Sequence, residues 1–405
     1  MTQLEIRPIS PGDDFAAQLD LGQRAFGSYS AQQKASWLHV ARLRAAQGLF
    51  LGAFVDGTPA GAAMLHDMRQ YWLGRPVRCG GVASVKVAPE YRGGGIGRTL
   101  MTGLLDLTAD RGYPVSVLYP ATMPIYRSLG WELAGAKYQF TVPARSLRAF
   151  LPPDPHVPVT DAPAPPVRRV TPDDAVTMNN VIARAHQTAR DAGAITWDEG
   201  PARQWLSRPD LYAYLAGDGD GFAAYRWANG DTRELFVERV HAATPQALRA
   251  LWSVIASNAS VTRTVHGLTA PDDPFWWLTQ ERDATITRRS MWMLRVVDGP
   301  AAIAARGFPP AVSASVPLDI EDRARPANTG SWQLTVANGT GTLTPNGGGA
   351  SPAPLTLGPR GVAALYAGTP VATLRMAGLA AGGTPEADAA LDSAFAAAPY
   401  MVDDF

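Results

Sequence analysis

Over residues 81–112 the apolar pattern changes its period across one short loop. The stretch "GVASVKVAP" (81–89) reads as an apolar strand. In "IGRTLMTGLLDLTADRG" (96–112), Ile96, Leu100, Met101, Leu104 and Leu105 fall on one helical face, with Gly112 as the C-terminal stop. Further on, "YPVSVLYPAT" reads as a short buried strand and "MPIYRSLGWEL" as a short helix ending at Gly130, before another strand. The segment "LPPDPHVPVTDAPAPPVRR" is proline-rich and too poor in apolar residues to pack, so a domain boundary is expected there. Beyond this boundary the chain repeats its first part. "RPISPGDD" (7–14) reappears as "RRVTPDD" (168–174), and "FVDGTPAGAAML" (54–65) as "LAGDGDGFAAYRW" (215–227). A duplicated fold accounts for this most simply. In the second copy "LFVERVHAATPQALRALWSV" replaces the strand, loop and helix, and the glycines are gone. From about residue 300 turn formers ("NGTGTLTPNGGGASPAPLTLGPRG") and an amphipathic run ("GVAALYAGTPVATLRMAGL") indicate a separate α+β module.

Composition narrows the function classes. The 405 residues suggest two or three domains, and Lys plus Arg balance Asp plus Glu at 36 each, so no net field favours nucleic acid or an anionic membrane. The single cysteine, Cys79, excludes an internal disulfide framework or a Cys-rich metal site and reads as a small buried residue. No basic N-terminal leader or bilayer-length apolar segment is present, and a cytoplasmic location is expected.

The loop Arg92-Gly93-Gly94-Gly95-Ile96-Gly97-Arg98 carries the chemistry. A Walker A motif would need Gly where Arg92 stands and Lys where Arg98 stands; a dinucleotide fingerprint would need Gly at Leu100. The alternative of a ligand-free turn requires only one or two residues with positive φ, not four glycines. Bare amides delivered to a helix N-terminus are the usual means of holding a pyrophosphate.

These residues resemble the acetyl-CoA loop of the GCN5-related N-acetyltransferases (GNAT superfamily), Arg/Gln-x-x-Gly-x-Gly/Ala. The resemblance implies acetyl-CoA as co-substrate, bound by residues 92–98 together with Ala121 and Thr122. The backbone of Val85, Lys86 and Val87 would meet the thioester carbonyl and matter more than the side chains. Tyr126, in the Tyr-x-x-x-Gly-Trp spacing with Gly130 and Trp131, would be the general acid that protonates the departing thiolate; the other reading, from burial tendencies alone, is a core aromatic.

Two tandem acetyltransferase folds and a third module resemble the Eis-type (enhanced intracellular survival) members. The implied fold class is α+β with mixed sheets: a catalytic GNAT domain (1–150), a proline-rich linker (151–167), a degenerate GNAT-like domain (168–296) and a sterol-carrier-protein-like domain (297–405). In that family the C-terminal carboxylate enters the first domain's site as general base, here that of Phe405. A free α-carboxylate has a reference pKa of about 3.5, so it would act through position, desolvation or a water. "PYMVDDF" is apolar enough to dock, although chain ends are usually untethered.

Phe26 and Trp37, on helices between the first two strands, and Asp404 would line an acceptor pocket for a cationic multi-amine; core packing is the other reading of Trp37. Aminoglycosides are the implied acceptors, with polyamines or protein lysines as alternatives, and a lipid or ligand carrier built on the third domain is the reading from another class. Glu90 reads as a solvated charge, and most of the histidines as structural or exposed. No metal, nucleic-acid or membrane partner is implied. The family also implies a homohexamer, as a trimer of dimers or paired trimers.

Overall fold

The computed structural model describes residues 3–150, 164–228, 233–347 and 353–405; of the expected linker, residues 151–163 lie outside the described residues. The first half runs β1 (Leu4–Pro8), α1 (Phe15–Phe26), α2 (Ala31–Ala46), β2 (Phe50–Val55), β3 (Thr58–Trp72), β4 (Arg75–Val87), α3 (Ile96–Asp110), β5 (Val115–Leu118), α4 (Pro124–Ser128) and β6 (Glu132–Pro143). The five residues expected on the apolar face of α3 are all buried, and Gly112, at φ +69°, lies just past its end.

The second half repeats this order with one short strand, β8, added between its first two helices: β7 (Val167–Arg169), α5 (Ala175–Ala189), β8 (Ile195–Trp197), α6 (Glu199–Leu206), β9 (Leu211–Ala216), β10 (Gly221–Trp227), β11 (Glu234–Ala242), α7 (Pro245–Ala256), β12 (Thr264–Thr269), α8 (Phe275–Leu278) and β13 (Thr285–Val296). The repeated sequence corresponds to a repeated device. Arg7 donates to both oxygens of Asp13 at 2.9 and 2.8 Å, and Arg168 to those of Asp174 at 3.1 and 2.7 Å. In each copy the same carboxylate also accepts the backbone N–H three residues before it, from Ser10 or Thr171. An arginine on the first strand therefore fixes the turn into the first helix twice over.

Among the described residues the two halves share one continuous sheet in the order β1-β2-β3-β4-β5-β13-β6-β12-β11-β10-β9-β7, with β8 pairing beside it on β3. The halves exchange strands. β13, from the second, inserts between β5 and β6, and β6, from the first, pairs with β12. Two features of β4 prepare the site. It pairs with β5 only over Cys79–Gly81, so residues 82–87 diverge from β5 and open a wedge. It also bulges against β3, where Ala63 alone opposes Ser84 and Val85, with Ser84 at φ +52°.

The third unit contains α9 (Gly299–Ala305), β14 (Ala314–Ile320), β15 (Gly330–Ala337), β16 (Thr340–Pro345), β17 (Leu355–Leu357), α10 (Pro359–Tyr366), α11 (Val371–Met376), β18 (Ala380–Gly382) and α12 (Pro385–Phe395), with sheet order β16-β15-β14-β17-β18. A buried ion pair joins it to the sheet of the first two. Arg295 on β13 donates to both oxygens of Asp322 at 2.7 and 2.6 Å, and to Leu129 O at 2.9 Å. Arg306, wholly buried among the rings of Trp72, Phe308, Tyr366 and Phe395, donates to Phe395 O at 3.1 Å and so holds the end of α12. Beyond that point the chain turns back toward the first half. Among the described residues no helix is long and apolar enough to cross a membrane.

Candidate active site

The glycine loop satisfies several demands at once. Gly93 (φ +84°) and Gly95 (φ +82°) occupy the left-handed region, where a side chain would be strained. At Gly97 space is tight, since a Cβ there would lie 3.2 Å from Ile125 Cδ1 and 3.5 Å from Val87 Cγ2. Gly94 carries neither constraint and leaves the exposed backbone bare. Among the described residues the amides of 93–97 have no protein acceptor, and neither Arg92 nor Arg98 has a carboxylate partner. Arg92 donates to Val87 O at 3.3 Å and Arg98 to Ser128 Oγ at 3.1 Å, which brackets the loop with positive charge. Unpaired amides, a helix start and two guanidiniums without counter-charges fit a pyrophosphate. Ala121 and Thr122 are exposed in the loop between β5 and α4. The corresponding start of α7 is capped by Thr244, which accepts Ala247 N–H at 3.2 Å, and it opens with Pro245, which has no amide to offer.

Tyr126 on α4 is buried in the cluster that also contains Val82, Leu118 and Leu129, at the mouth of the wedge, with Val85 and Val87 packed against that cluster. Burial raises its phenol above the ordinary range, so it stays protonated at neutral pH. Lys86, whose backbone is expected to matter more than its side chain, also has a distinctive side-chain environment. Its side chain is buried on the other face of β4, donating to Gln18 O at 2.7 Å and standing 4.4 Å from the centroid of the Trp37 ring. Alternation along the strand sends Val85 and Val87 to the wedge and Lys86 away from it.

The C-terminal segment docks. Tyr400 N–H donates to Ala192 O at 3.0 Å and Met401 N–H to Ala136 O at 3.2 Å, while Tyr119 Oη donates to Asp403 O at 3.0 Å. Residues 400–403 are buried, and the Phe405 ring lies 5.7 Å from Tyr119, 6.1 Å from Trp197 and 6.3 Å from His66 between centroids. Phe405 also sits against Gly81, where a Cβ would come within 3.1 Å of its ring; Gly81 is the last β4 residue paired with β5. The chain end therefore reaches the point where the wedge opens.

Phe405 lines a cavity of about 490 Å³, which adjoins a larger one of about 1370 Å³, and Trp37 and Asp404 line both. Phe26 does not line either. It stands 53% exposed as the last residue of α1, just before the Gly27 cap. Asp404 lines the cavity as an ion pair with Lys137 and not as a free carboxylate. The other carboxylates are matched too: Asp403 with Arg239, Glu238 with Arg226 and Arg208, and Asp210 with Arg208. The terminal carboxylate of Phe405 has no ion-pair partner among the described residues.

Sequence reasoning missed the far wall, formed by Trp197, Trp205, Arg208, Glu238 and Arg239 of the second half, and the near-wall histidine His66. Burial and the neighbouring Arg44 push His66 down to about 3, so it is neutral at physiological pH. No local motif marks these residues. Glu90, as expected, lies on the solvent side, paired with Arg24 at 2.5 Å.

Residues 5–134 and 189–296 each match an acetyltransferase (GNAT) domain family, and residues 300–402 match a sterol carrier protein domain. The chain is 41% identical to a GCN5-related N-acetyltransferase from Kribbella flavida, whose crystal structure aligns over 100% of this chain and 99% of that one with a TM-score of 0.91. It is 28% identical over 350 residues to N-acetyltransferase Eis of Mycobacterium tuberculosis, covering 82% of this chain and 83% of that protein. Eis1 from Mycobacterium abscessus shares the fold, with a TM-score of 0.77 at 21% identity over 99% of this chain and 100% of that one.

Proposed function

The chain belongs to the GCN5-related N-acetyltransferases, and from that premise we propose that it moves the acetyl group of acetyl-CoA directly onto a primary amine, with Tyr126 as general acid and the Phe405 carboxylate as general base. The amides of residues 93–97 and the guanidiniums of Arg92 and Arg98 hold the pyrophosphate, and the wedge backbone at Val85–Val87 meets the thioester carbonyl. The Phe405 carboxylate takes the proton that the ammonium must lose, the amine nitrogen bonds to the acetyl carbon, and the carbon–sulfur bond breaks. The Tyr126 phenol gives its proton to the thiolate as it leaves, and the second proton that the nitrogen sheds on becoming a neutral amide passes through water to restore the phenol.

One observation carries the choice of base. Of the residues that bring a carboxylate to the cavity, Phe405, whose ring lies against Gly81 where the wedge opens, is the one whose carboxylate has no ion-pair partner among the described residues. An ion pair would stabilise the ionised form and weaken it as a proton acceptor. The acceptor reading, a cationic multi-amine of aminoglycoside type with polyamines or protein lysines behind it, draws on the aromatic faces of Trp37, Trp197 and Trp205. The paired carboxylates offer it less than expected, although Asp404, with its side chain 72% exposed, can be shared between Lys137 and a ligand.

Release of CoA thiol across a panel of such amines is the test, repeated with one glycine appended after Phe405. That change keeps the ring and moves the carboxylate by about 3.5 Å. The expected result is a loss in kcat of about 10²-fold or more with KM for acetyl-CoA unchanged; unchanged turnover would refute the role of Phe405. The carrier reading has little to support it. Among the described residues, two cavities against the third unit measure about 30 and 10 Å³, whereas ligand sites occupy roughly 300–1,000 Å³. Assembly as a homohexamer is proposed on the family resemblance, and the mass in solution, against 43.1 kDa per chain, tests it.

A further inference from the structure

The second half has lost the glycine loop but retains the geometry of a wedge. β11 pairs with β12 only over Glu234–Val237, and residues 238–242 then leave β12 much as residues 82–87 leave β5. Arg239 lies in this diverging stretch. Its guanidinium is ion-paired with Asp403 and stands 4.2 Å from the centroid of the Trp205 ring on α6, which limits its orientation. Asp403 is buried and Arg239 nearly so, with side chains 5% and 11% exposed. The same carboxylate accepts a long hydrogen bond from Trp197 Nε1 at 3.5 Å, and the first half grips the Asp403 carbonyl through Tyr119 at 3.0 Å. Only Asp404 separates this clamp from Phe405.

We infer that the second half serves as the receptor for the general base: Arg239, through Asp403, positions the Phe405 carboxylate at the mouth of the first half's wedge. This rests on the reading of Phe405 as the base. Arg239 is a positioning residue, since it acts through the tail and does not itself face the reacting atoms. A cation is required here because a buried Asp403 without one would leave for water and take the chain end with it. Displacing a catalytic group by even 1 Å can cost about 10²-fold in rate.

The experiment uses the full chain with acetyl-CoA and whichever amine the wild-type protein turns over. Arg239→Ala and, independently, Asp403→Asn are expected to lower kcat by about 10²-fold with KM for acetyl-CoA within about twofold. Both should also speed release of Phe405 by a carboxypeptidase, and Arg239→Lys should recover much of the kcat and of the protection. Asp403 lies on the docked tail, so its variant remains informative where Arg239→Ala fails to fold. If Arg239→Ala and Asp403→Asn keep both kcat and tail protection while the glycine-extended chain is inactive, the positioning role is wrong and Phe405 stands as base. If the glycine-extended chain remains fully active, the reading of Phe405 fails, and the inference with it.

Discussion

Lys86 offers a measurement that the structure makes unusually clean. Its ammonium is buried between α1 and Trp37, where a Cβ on Gly22 would stand only 3.3 Å from Nζ, and it has no carboxylate partner among the described residues. Burial lowers its pKa from the usual 10.5 to about 7. The unfolded chain keeps the proton up to the higher value and the folded chain only up to the lower one. Between pH 7 and 10.5 the unfolded state therefore binds more protons, and stability rises with pH across that window by about 1.4 kcal/mol per unit. The full swing is about 5 kcal/mol, an upper bound because the Gln18 carbonyl and the Trp37 face favour the charged form. The sequence contains three lysines, Lys34, Lys86 and Lys137, so a chain labelled with ¹³C at lysine Cε gives three resonances to titrate. One should move near pH 7, and Lys86→Met should delete it. If the resonance that Lys86→Met removes titrates near 10, the burial argument is wrong.

The same geometry sets three further outcomes. Gly95→Ala meets no neighbour but must hold φ near +82°, which costs about 1–2 kcal/mol; acetyl-CoA should bind about tenfold more weakly by calorimetry, with kcat at saturation little changed. Asp322→Asn leaves Arg295 buried without its counter-charge and should destabilise by about 3–5 kcal/mol, seen as a lower thermal midpoint; an unchanged midpoint would mean the pair does not hold the third unit. Cys79 is fully buried, with its thiol pushed well above the ordinary range, so Ellman's reagent should detect no protein thiol in the native state and one after denaturation.

Some of this protein is settled by residues close together in the chain. The glycines at 93 and 95 are dictated by backbone conformations that other residues adopt only under strain, and the helix after them by an apolar face that recurs every three or four positions. The arginine and aspartate six residues apart, present in both halves, close one turn each and need nothing from elsewhere. Such features depend on sterics and hydrogen bonds within a few residues, and they are legible for that reason. The apolar residues of the tail, together with the resemblance of the whole chain, point to docking, but they do not say what the tail docks against.

Tertiary structure decided the rest. Strand pairing is degenerate in sequence, since β13 could have closed its own sheet; packing places it between β5 and β6 and makes one sheet from two halves. Whether an aspartate in the cavity is free depends on a cation far away in sequence: Asp404 meets Lys137, 267 positions away, and Asp403 meets Arg239, 164 away. Phe26 and Trp37 look alike as helical aromatics, yet one stands exposed just before the Gly27 cap while the other becomes a cavity wall. Local sequence set the backbone of the glycine loop, whereas the charge and shape of the cavity beside Phe405 were fixed only when register and packing brought three distant segments to one place.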